Sequence, residues 1–190
     1  MPDANQPIHI LTLSGSLRAA SSNSAALEAA ASLSPSDVHL VRYDGLADLP
    51  HFNPDIETGP LPESVLRLRD EVRMCDGLIV SSPEYAHGIA GALKNALDWL
   101  VGSLDFPGKP VALINASPRA CHAYSQLGEV LTTMSARLVV EACIVLPLTG
   151  RNLDAGGIAR DPELVHRLRT CVARLSEAVR RMRFPEPGGG

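Results

Sequence analysis

Apolar positions along this chain switch repeatedly between two kinds of run. Short unbroken apolar stretches predict buried strands, and longer stretches with apolar residues every three or four positions predict helices. Ile8 to Leu13 (IHILTL) predicts a first strand ending in the turn Ser14-Gly15-Ser16. Ser24 to Leu33 is Ala-rich and predicts a helix, and Val38 to Arg42 alternates as a second strand. Tyr43 to Pro62 carries four prolines and predicts a long irregular connection, the kind that is functional or mobile in compact domains. Glu63 to Cys75 predicts an amphipathic helix with Val65, Leu68 and Val72 on one face. Gly77 to Ser82 predicts a third strand, Ala90 to Val101 a helix, Pro110 to Ala116 a fourth strand and Leu127 to Arg137 a helix. Leu138 to Leu146 (LVVEACIVL) predicts a fifth strand. Asp161 to Arg183 predicts a long last helix, with Asp161 as N-cap, Pro162 in the first turn, and an apolar line from Leu164 through Leu168, Val172, Leu175 and Val179 to Met182. Five strands separated by helices imply an α/β domain, a parallel sheet covered on both faces. Such sheets bind ligands beyond the carboxyl ends of their strands.

Composition narrows the class. At 190 residues and 20.2 kDa, with 45% hydrophobic and 20% charged residues, the chain suits one folded domain. The reading is a single domain over residues 8–184, a flexible start at 1–7 and a disordered tail at 185–190. A net charge of −4 gives no general attraction to nucleic acid or anionic membranes. No apolar run approaches the roughly 20 residues of a membrane span. Met1 to Gln6 is polar and lacks the pattern of a leader, so a cytoplasmic location is expected. The cysteines, Cys75, Cys121, Cys143 and Cys171, show no metal spacing and read as reduced and mostly buried, with Cys121 in a probable loop. No metal site is expected.

Two loops carry the candidate chemistry. Ser14 to Ser24 packs five serines, Asn23 and Arg18 directly before a helix. A helix N-terminus offers unpaired N–H groups and partial positive charge, which suit a phosphate. The side chains of Ser16, Ser21 and Asn23 add donors, and Arg18 adds a charge-assisted contact. The same residues also suit a plain N-cap with solvated serines. GxxxxGK[ST] and GxGxxG are both absent, which points to a monophosphate rather than a triphosphate or a dinucleotide. After the third strand comes Ser82-Pro83-Glu84-Tyr85-Ala86-His87-Gly88, with a rigid turn, an aromatic face at Tyr85, and Gly88 and Gly91 permitting close backbone approach.

GSLRAASSN together with SPEYAHGIAGALKNALDWL resembles the NADPH-dependent FMN reductase family, of flavodoxin-like fold. Gly15, Ser16, Arg18, Ser21 and Asn23 meet its first pattern, and Pro83 to Trp99 meets its second. The resemblance, which covers about residues 8 to 183, implies a three-layer sandwich with strand order 2-1-3-4-5. It implies that Ser16, Arg18, Ser21 and Asn23 hold the FMN phosphate, with Ser22 and Ser24 close by. It places Pro83, Glu84 and Tyr85 along the flavin ring and ribityl chain, and His87 and Gly88 near the ring edge or substrate mouth. The resemblance further implies that hydride passes from NADPH or NADH to FMN, and electrons then to quinone, azo, flavin or similar small-molecule acceptors. A homodimer or homotetramer is implied, and no side chain is required as an acid or base.

The chain departs from the family pattern in two places. Ala86 stands where many members have Asn. After the fourth strand a Ser followed by a Gly-rich stretch is usual, whereas here Ser117 is followed by Pro118-Arg119-Ala120-Cys121. Arg119 offers a pyridine-nucleotide phosphate a partner, or is a solvated surface cation. His87 offers a proton donor near the ring, or is a solvated loop residue. Trp99 and its leucine stripe read as a subunit interface or plain core. Two other classes remain at this point: a flavodoxin-type electron carrier, and a non-enzymatic family member that has lost ring binding.

Overall fold

A computed structural model describes residues 6–184. Eight strands are present: β1 (Ile8–Ser14), β2 (Val38–Arg42), β3 (Gly77–Ser81), β4 (Glu84–Tyr85), β5 (Gly88–Ile89), β6 (Pro110–Asn115), β7 (Arg137–Leu138) and β8 (Ile144–Val145). Seven α-helices join them: α1 (Ser22–Ser32), α2 (Pro54–Glu57), α3 (Glu63–Met74), α4 (Gly91–Val101), α5 (Cys121–Thr133), α6 (Ala155–Ile158) and α7 (Pro162–Arg183). The main sheet runs β2-β1-β3-β6-β7, with β8 also on β6, and all its pairs are parallel. With β7 and β8 counted as the fifth strand, this is the expected order 2-1-3-4-5. The start at residues 1–5 and the tail at 185–190 lie outside the described residues; Gln6 and Pro7 accept from the Arg183 guanidinium at 3.2 and 3.1 Å.

Alternation along the strands divides the core. Ile8, Ile10, Ile79, Ala112 and Ile114 face α1 and α7, while Leu11, Leu13, Leu78, Val80, Val111 and Leu113 face α3, α4 and α5. Central β3 and β6 are buried along their whole length, as a strand covered on both faces must be. Trp99 is 0% exposed within its own chain, which makes it core.

The long connection after β2 is pinned rather than loose. Asn95 Oδ1 accepts from the Phe52 N–H at 2.7 Å, and Asn95 Nδ2 and Trp99 Nε1 both donate to the Pro50 carbonyl, at 3.0 and 2.7 Å. Arg69 pairs with Glu57 and donates to the Trp99 carbonyl, fastening α2 to α3 and α4.

Three boundaries differ from the sequence reading. The fifth strand is broken by a 3₁₀ turn at Val140–Ala142, so β7 pairs with the start of β6 and β8 with its end. At the break the Leu113 N–H donates to Cys143 Sγ at 3.3 Å in place of a ladder partner. The fourth long helix, α5, starts six residues earlier than expected and ends at Thr133. Ser135 stops it at φ 62°, with Ala136 N bonded to Leu131 O and Ser135 N to Thr132 O. In α7, Met182 is 42% exposed and leaves the apolar line.

The α7 cap supplies a pH prediction. Asp161 accepts from the N–H groups of Glu163 and Leu164 at 3.0 and 3.2 Å and pairs with Arg151 at 2.7 Å. The Arg151 hydrogen bond, helped by the Leu164 N–H, holds the Asp161 carboxyl below the usual carboxylate value. A lowered native pKa gives stability that is present above the ordinary carboxylate range and lost as pH falls through the native value. Thermal melts from about pH 6 down to about pH 3 should show an acid decline that D161N, which caps without charge, makes shallower.

The cysteines supply another. Burial pushes the Cys75 thiol up to about 11 and Cys171 up to about 12, and burial also raises Cys143. Cys121 alone is exposed. A thiol-reactive disulfide dye should therefore label one thiol quickly in the native protein and all four after denaturation. A second fast thiol would contradict this packing.

Candidate active site

The loop after β1 is built by close approach. A Cβ on Gly15 would lie 2.9 Å from Ser82 Oγ and 3.3 Å from Leu93, so only glycine lets this loop pass the β3 loop and α4. Ser14 Oγ and Ser24 Oγ, both buried, share a hydrogen bond of 2.9 Å that ties the end of β1 to α1. Ser81 Oγ lies 2.8 Å from Asn23 Oδ1 and 2.7 Å from the Ile114 carbonyl. The one Ser81 hydroxyl proton serves one of these two contacts, and the Asn23 amide held against it lines the cleft. Ser21 caps α1 by accepting from the Ser24 N–H at 3.4 Å. The Ser22 and Asn23 N–H groups have no partner among the described residues, so the helix begins with two free donors.

The loop after β3 folds back as a hairpin, β4 against β5, closed by Ala86 and His87. Both have left-handed backbone, at φ 49° and 59°. Two consecutive left-handed residues suit a tight hairpin but strain any residue with a Cβ except Asn and Asp. An A86N variant, which Asn suits without the entropy penalty of Gly, should gain about 0.5–1 kcal/mol of stability in urea unfolding. The hairpin is docked on α5. Glu84 Oε2 accepts from the Ala123 N–H at 2.9 Å, Gln126 Oε1 accepts from the Ile89 N–H at 2.9 Å, and the rings of His87 and His122 stack at 4.3 Å. Ala120 cannot cap α5, so Glu84 supplies an acceptor from a distant loop.

These loops and the one after β6 enclose a cleft of about 510 Å³ at the carboxyl end of the sheet. It brings together Ser16, Arg18, Ser21, Ser22, Asn23, Pro83, Glu84, Tyr85 and Ser117. Three expected residues stay outside it. Ser24 is turned inward to Ser14, His87 lies on His122, and Gly88 pairs with Tyr85 in the hairpin. Within the protein neither Gly88 nor Gly91 is required by a neighbour: a Cβ on Gly88 would come no nearer than 3.5 Å to another residue, and one on Gly91 would meet nothing within 4 Å.

Further residues line the same cleft without having been singled out as binding groups: Ser82, Asn115, Thr149 and Asn152. Thr149 Oγ1 and Ser117 Oγ lie 2.8 Å apart, which joins the loop after β8 to the loop after β6. The position of Thr149 and Asn152 just beyond the fifth strand is the signal that could have found them.

The donor set fits a phosphate at one end, where α1 offers two free N–H groups, three serine hydroxyls and Arg18. Away from that end, Pro83, Tyr85, Ala116 and Ala120 add apolar surface suited to a planar ring, among polar groups from Ser82, Asn115, Ser117 and Thr149. A ribityl monophosphate carrying a flavin has both halves of that description. Among the described residues no group of three or more His, Cys, Asp or Glu side chains is placed to hold a metal.

Comparison with known proteins places the chain. Residues 8–148 match the family model described as NADPH-dependent FMN reductase. An NAD(P)H-dependent FMN reductase of Pseudomonas aeruginosa is 32% identical over 181 residues, covering 93% of this chain and 97% of that protein. A quinone reductase of Pseudomonas putida is 38% identical over 121 residues, covering 61% of this chain and 63% of its own. Among solved structures, the flavoenzyme NAD(P)H:(acceptor) oxidoreductase of Paracoccus denitrificans shares the fold with a TM-score of 0.63 at 24% identity, covering 92% of each chain. The chain therefore belongs to the NADPH-dependent FMN reductase family and is an oxidoreductase of the FMN and NAD(P)H class.

Proposed function

We propose that this protein takes hydride from NADPH or NADH onto FMN held in the cleft between the β1, β3 and β6 loops, and delivers the electrons to quinone-like acceptors. The observation that carries the reading is the free N-terminus of α1, ringed by Ser16, Ser21, Ser22 and Arg18 in a cleft that also holds the apolar surfaces of Pro83 and Tyr85. The 38% identity to a quinone reductase favours quinones as acceptors, and azo dyes and free flavin suit the same chemistry.

Bound FMN supplies the two-electron chemistry, and this chain supplies position and electrostatics. Arg18 and the α1 N–H groups hold the phosphate dianion. The Asn23 amide, held by Ser81, lies beside them. Pro83 and Tyr85 present one wall to the ring, on a hairpin that Glu84 and Gln126 fasten to α5. Ser117 and Thr149 close the opposite side. The cleft stays open to the solvent end, where a second substrate approaches. Ser24, His87 and Gly88 support these groups from outside the cleft.

Four unpaired cysteines suit the reducing cytoplasm, and among the described residues no helix is long and apolar enough to cross a membrane. Leu104 and Val101, 94% and 64% exposed beside α4, suit a contact between copies of the chain, in keeping with a homodimer or homotetramer. Sedimentation of the purified protein reads that state directly.

The function is tested by steady-state oxidation of NADPH and NADH with benzoquinone as acceptor. The proposal expects turnover that requires FMN and ceases when either substrate is omitted. FMN-loaded protein that fails to consume either nucleotide would instead be an electron carrier.

A further inference from the structure

The cleft carries a second cation that FMN phosphate binding leaves unused. Ten of the fifteen arginines are ion-paired. Of the five with no carboxylate partner among the described residues, two, Arg18 and Arg119, line this cleft. The acid in the lining, Glu84, is turned to the Ala123 N–H.

The two cations stand on different loops. Arg18 follows β1 and Arg119 follows β6, on either side of β3. Two strand spacings separate these loops, about 10 Å. Arg18 stands on the loop that runs into α1, where the phosphate is proposed, and Arg119 on the loop that runs into α5.

The base of Arg119 is fixed while its side chain is exposed. Its N–H donates to Ser117 Oγ at 3.3 Å, the Ala120 N–H donates to the Ser117 carbonyl at 3.0 Å, and Ser117 N–H donates to Asn115 Oδ1 at 3.0 Å. Asn115 Nδ2 returns to the Ala120 carbonyl at 3.2 Å, and Thr149 holds the Ser117 hydroxyl. Pro118 stiffens the turn further. α5 begins two residues on, and the Glu84 carboxylate that accepts from its first turn offsets the dipole there, so the cation at this place is the Arg119 side chain itself.

We propose that Arg119 is a specificity-determining residue that recognises an anionic group on the second substrate, once FMN occupies the cleft. This rests on the FMN reading above. The group comes from one of two sources that use the cleft in turn: a phosphate of the nicotinamide nucleotide, or a sulfonate, carboxylate or ionised hydroxyl on the acceptor. A guanidinium pairs with a phosphate, sulfonate or carboxylate through two parallel hydrogen bonds and with an ionised hydroxyl at its single oxygen, and a neutral quinone gains no charge pairing from it. Because Arg119 is exposed, the effect should be moderate and should shrink as salt is added.

The test compares wild type, R119A and R119K, each loaded with FMN and checked for an unchanged melting temperature. Dissociation constants for FMN, NADP+ and NAD+ are read from flavin fluorescence. KM values are read for NADPH, NADH, a naphthoquinone sulfonate and neutral benzoquinone. The proposal expects FMN affinity within about twofold of wild type. R119A should raise KM or Kd for at least one anionic ligand about five- to tenfold at low salt, with R119K intermediate, while benzoquinone stays unchanged. A loss confined to the sulfonate assigns the acceptor. A loss for NADPH and NADP+ alone assigns the ribose phosphate, and an equal loss for all four nucleotides assigns the pyrophosphate. The proposal is overturned if R119A leaves every anion unaffected, if benzoquinone suffers as much as the sulfonate, or if FMN affinity itself collapses. Failure of wild type to bind FMN would instead sink the reading on which this one rests.

Discussion

Replacing Arg18 with alanine weakens FMN binding about 10- to 100-fold while leaving the protein folded. The expectation follows from what surrounds the side chain. Arg18 is exposed, lies in the loop after β1, and has no carboxylate partner among the described residues, so its removal orphans nothing in the apoprotein. The contribution proposed for it is a charge-assisted contact to the phosphate, which would be worth about 1.5–3 kcal/mol, hence the range in affinity. R18K keeps the charge and loses the planar fork, so it should fall between. Stability of the apoprotein should move by less than about 0.5 kcal/mol in both variants. Fluorescence titration and a thermal melt of the same samples check both halves. An unchanged FMN constant in R18A would mean that the α1 N-terminus and serines bind without it, or that the phosphate lies elsewhere.

Trp99→Ala should destabilise the protein by about 3–5 kcal/mol, enough to lower the melting temperature by about 10 °C in a domain of this size. Trp99 is 0% exposed in the cluster between the sheet and α3 and α4, meets Phe52 edge-on at 5.1 Å, and donates to the Pro50 carbonyl. Truncation removes the ring, leaves a cavity, and loosens the segment after β2. Trp99→Phe separates the terms. It keeps most of the packing and loses the indole hydrogen bond and a small part of the ring volume, while Asn95 still donates to Pro50, so its cost should be about 1–2 kcal/mol. Urea unfolding measures both. A small effect of Trp99→Ala would contradict the view that this segment is held as part of the core.

The two variants probe features of different legibility. β1, β3 and β6 were readable because each is an unbroken apolar run ending in Ser, Gly or Asn, and a parallel sheet buries such runs on both faces. Since ligands gather at the carboxyl ends of those strands, Ser16, Arg18 and Tyr85 could be named as candidates from sequence. The fifth strand was not readable in detail. Val139 to Leu146 is apolar enough for one strand, but the chain turns at Val140–Ala142, and the Leu113 N–H that this leaves over is met by the Cys143 thiol. No local signal announces that exchange.

The start of α5 hid for a related reason. Helix starts are recognised by a capping side chain, and Ala120 has none. The acceptor comes from Glu84, 39 residues earlier, and so belongs to tertiary structure. Its end hid because Ser135 takes the left-handed position usually marked by glycine. Misreading the fifth strand also concealed Thr149 and Asn152, which reach the cleft only once β8 is placed at the end of β6. Ser24 and His87 were named from residue type and position, and what the sequence did not show is their partners within the fold, Ser14 and His122.

The central claim is that the cleft between the β1, β3 and β6 loops holds FMN. It is tested most directly by titrating the purified protein with FMN and following visible absorbance and flavin fluorescence. The account predicts saturable binding at one FMN per chain, weakened by Arg18→Ala. No binding at FMN concentrations of tens of micromolar would contradict it.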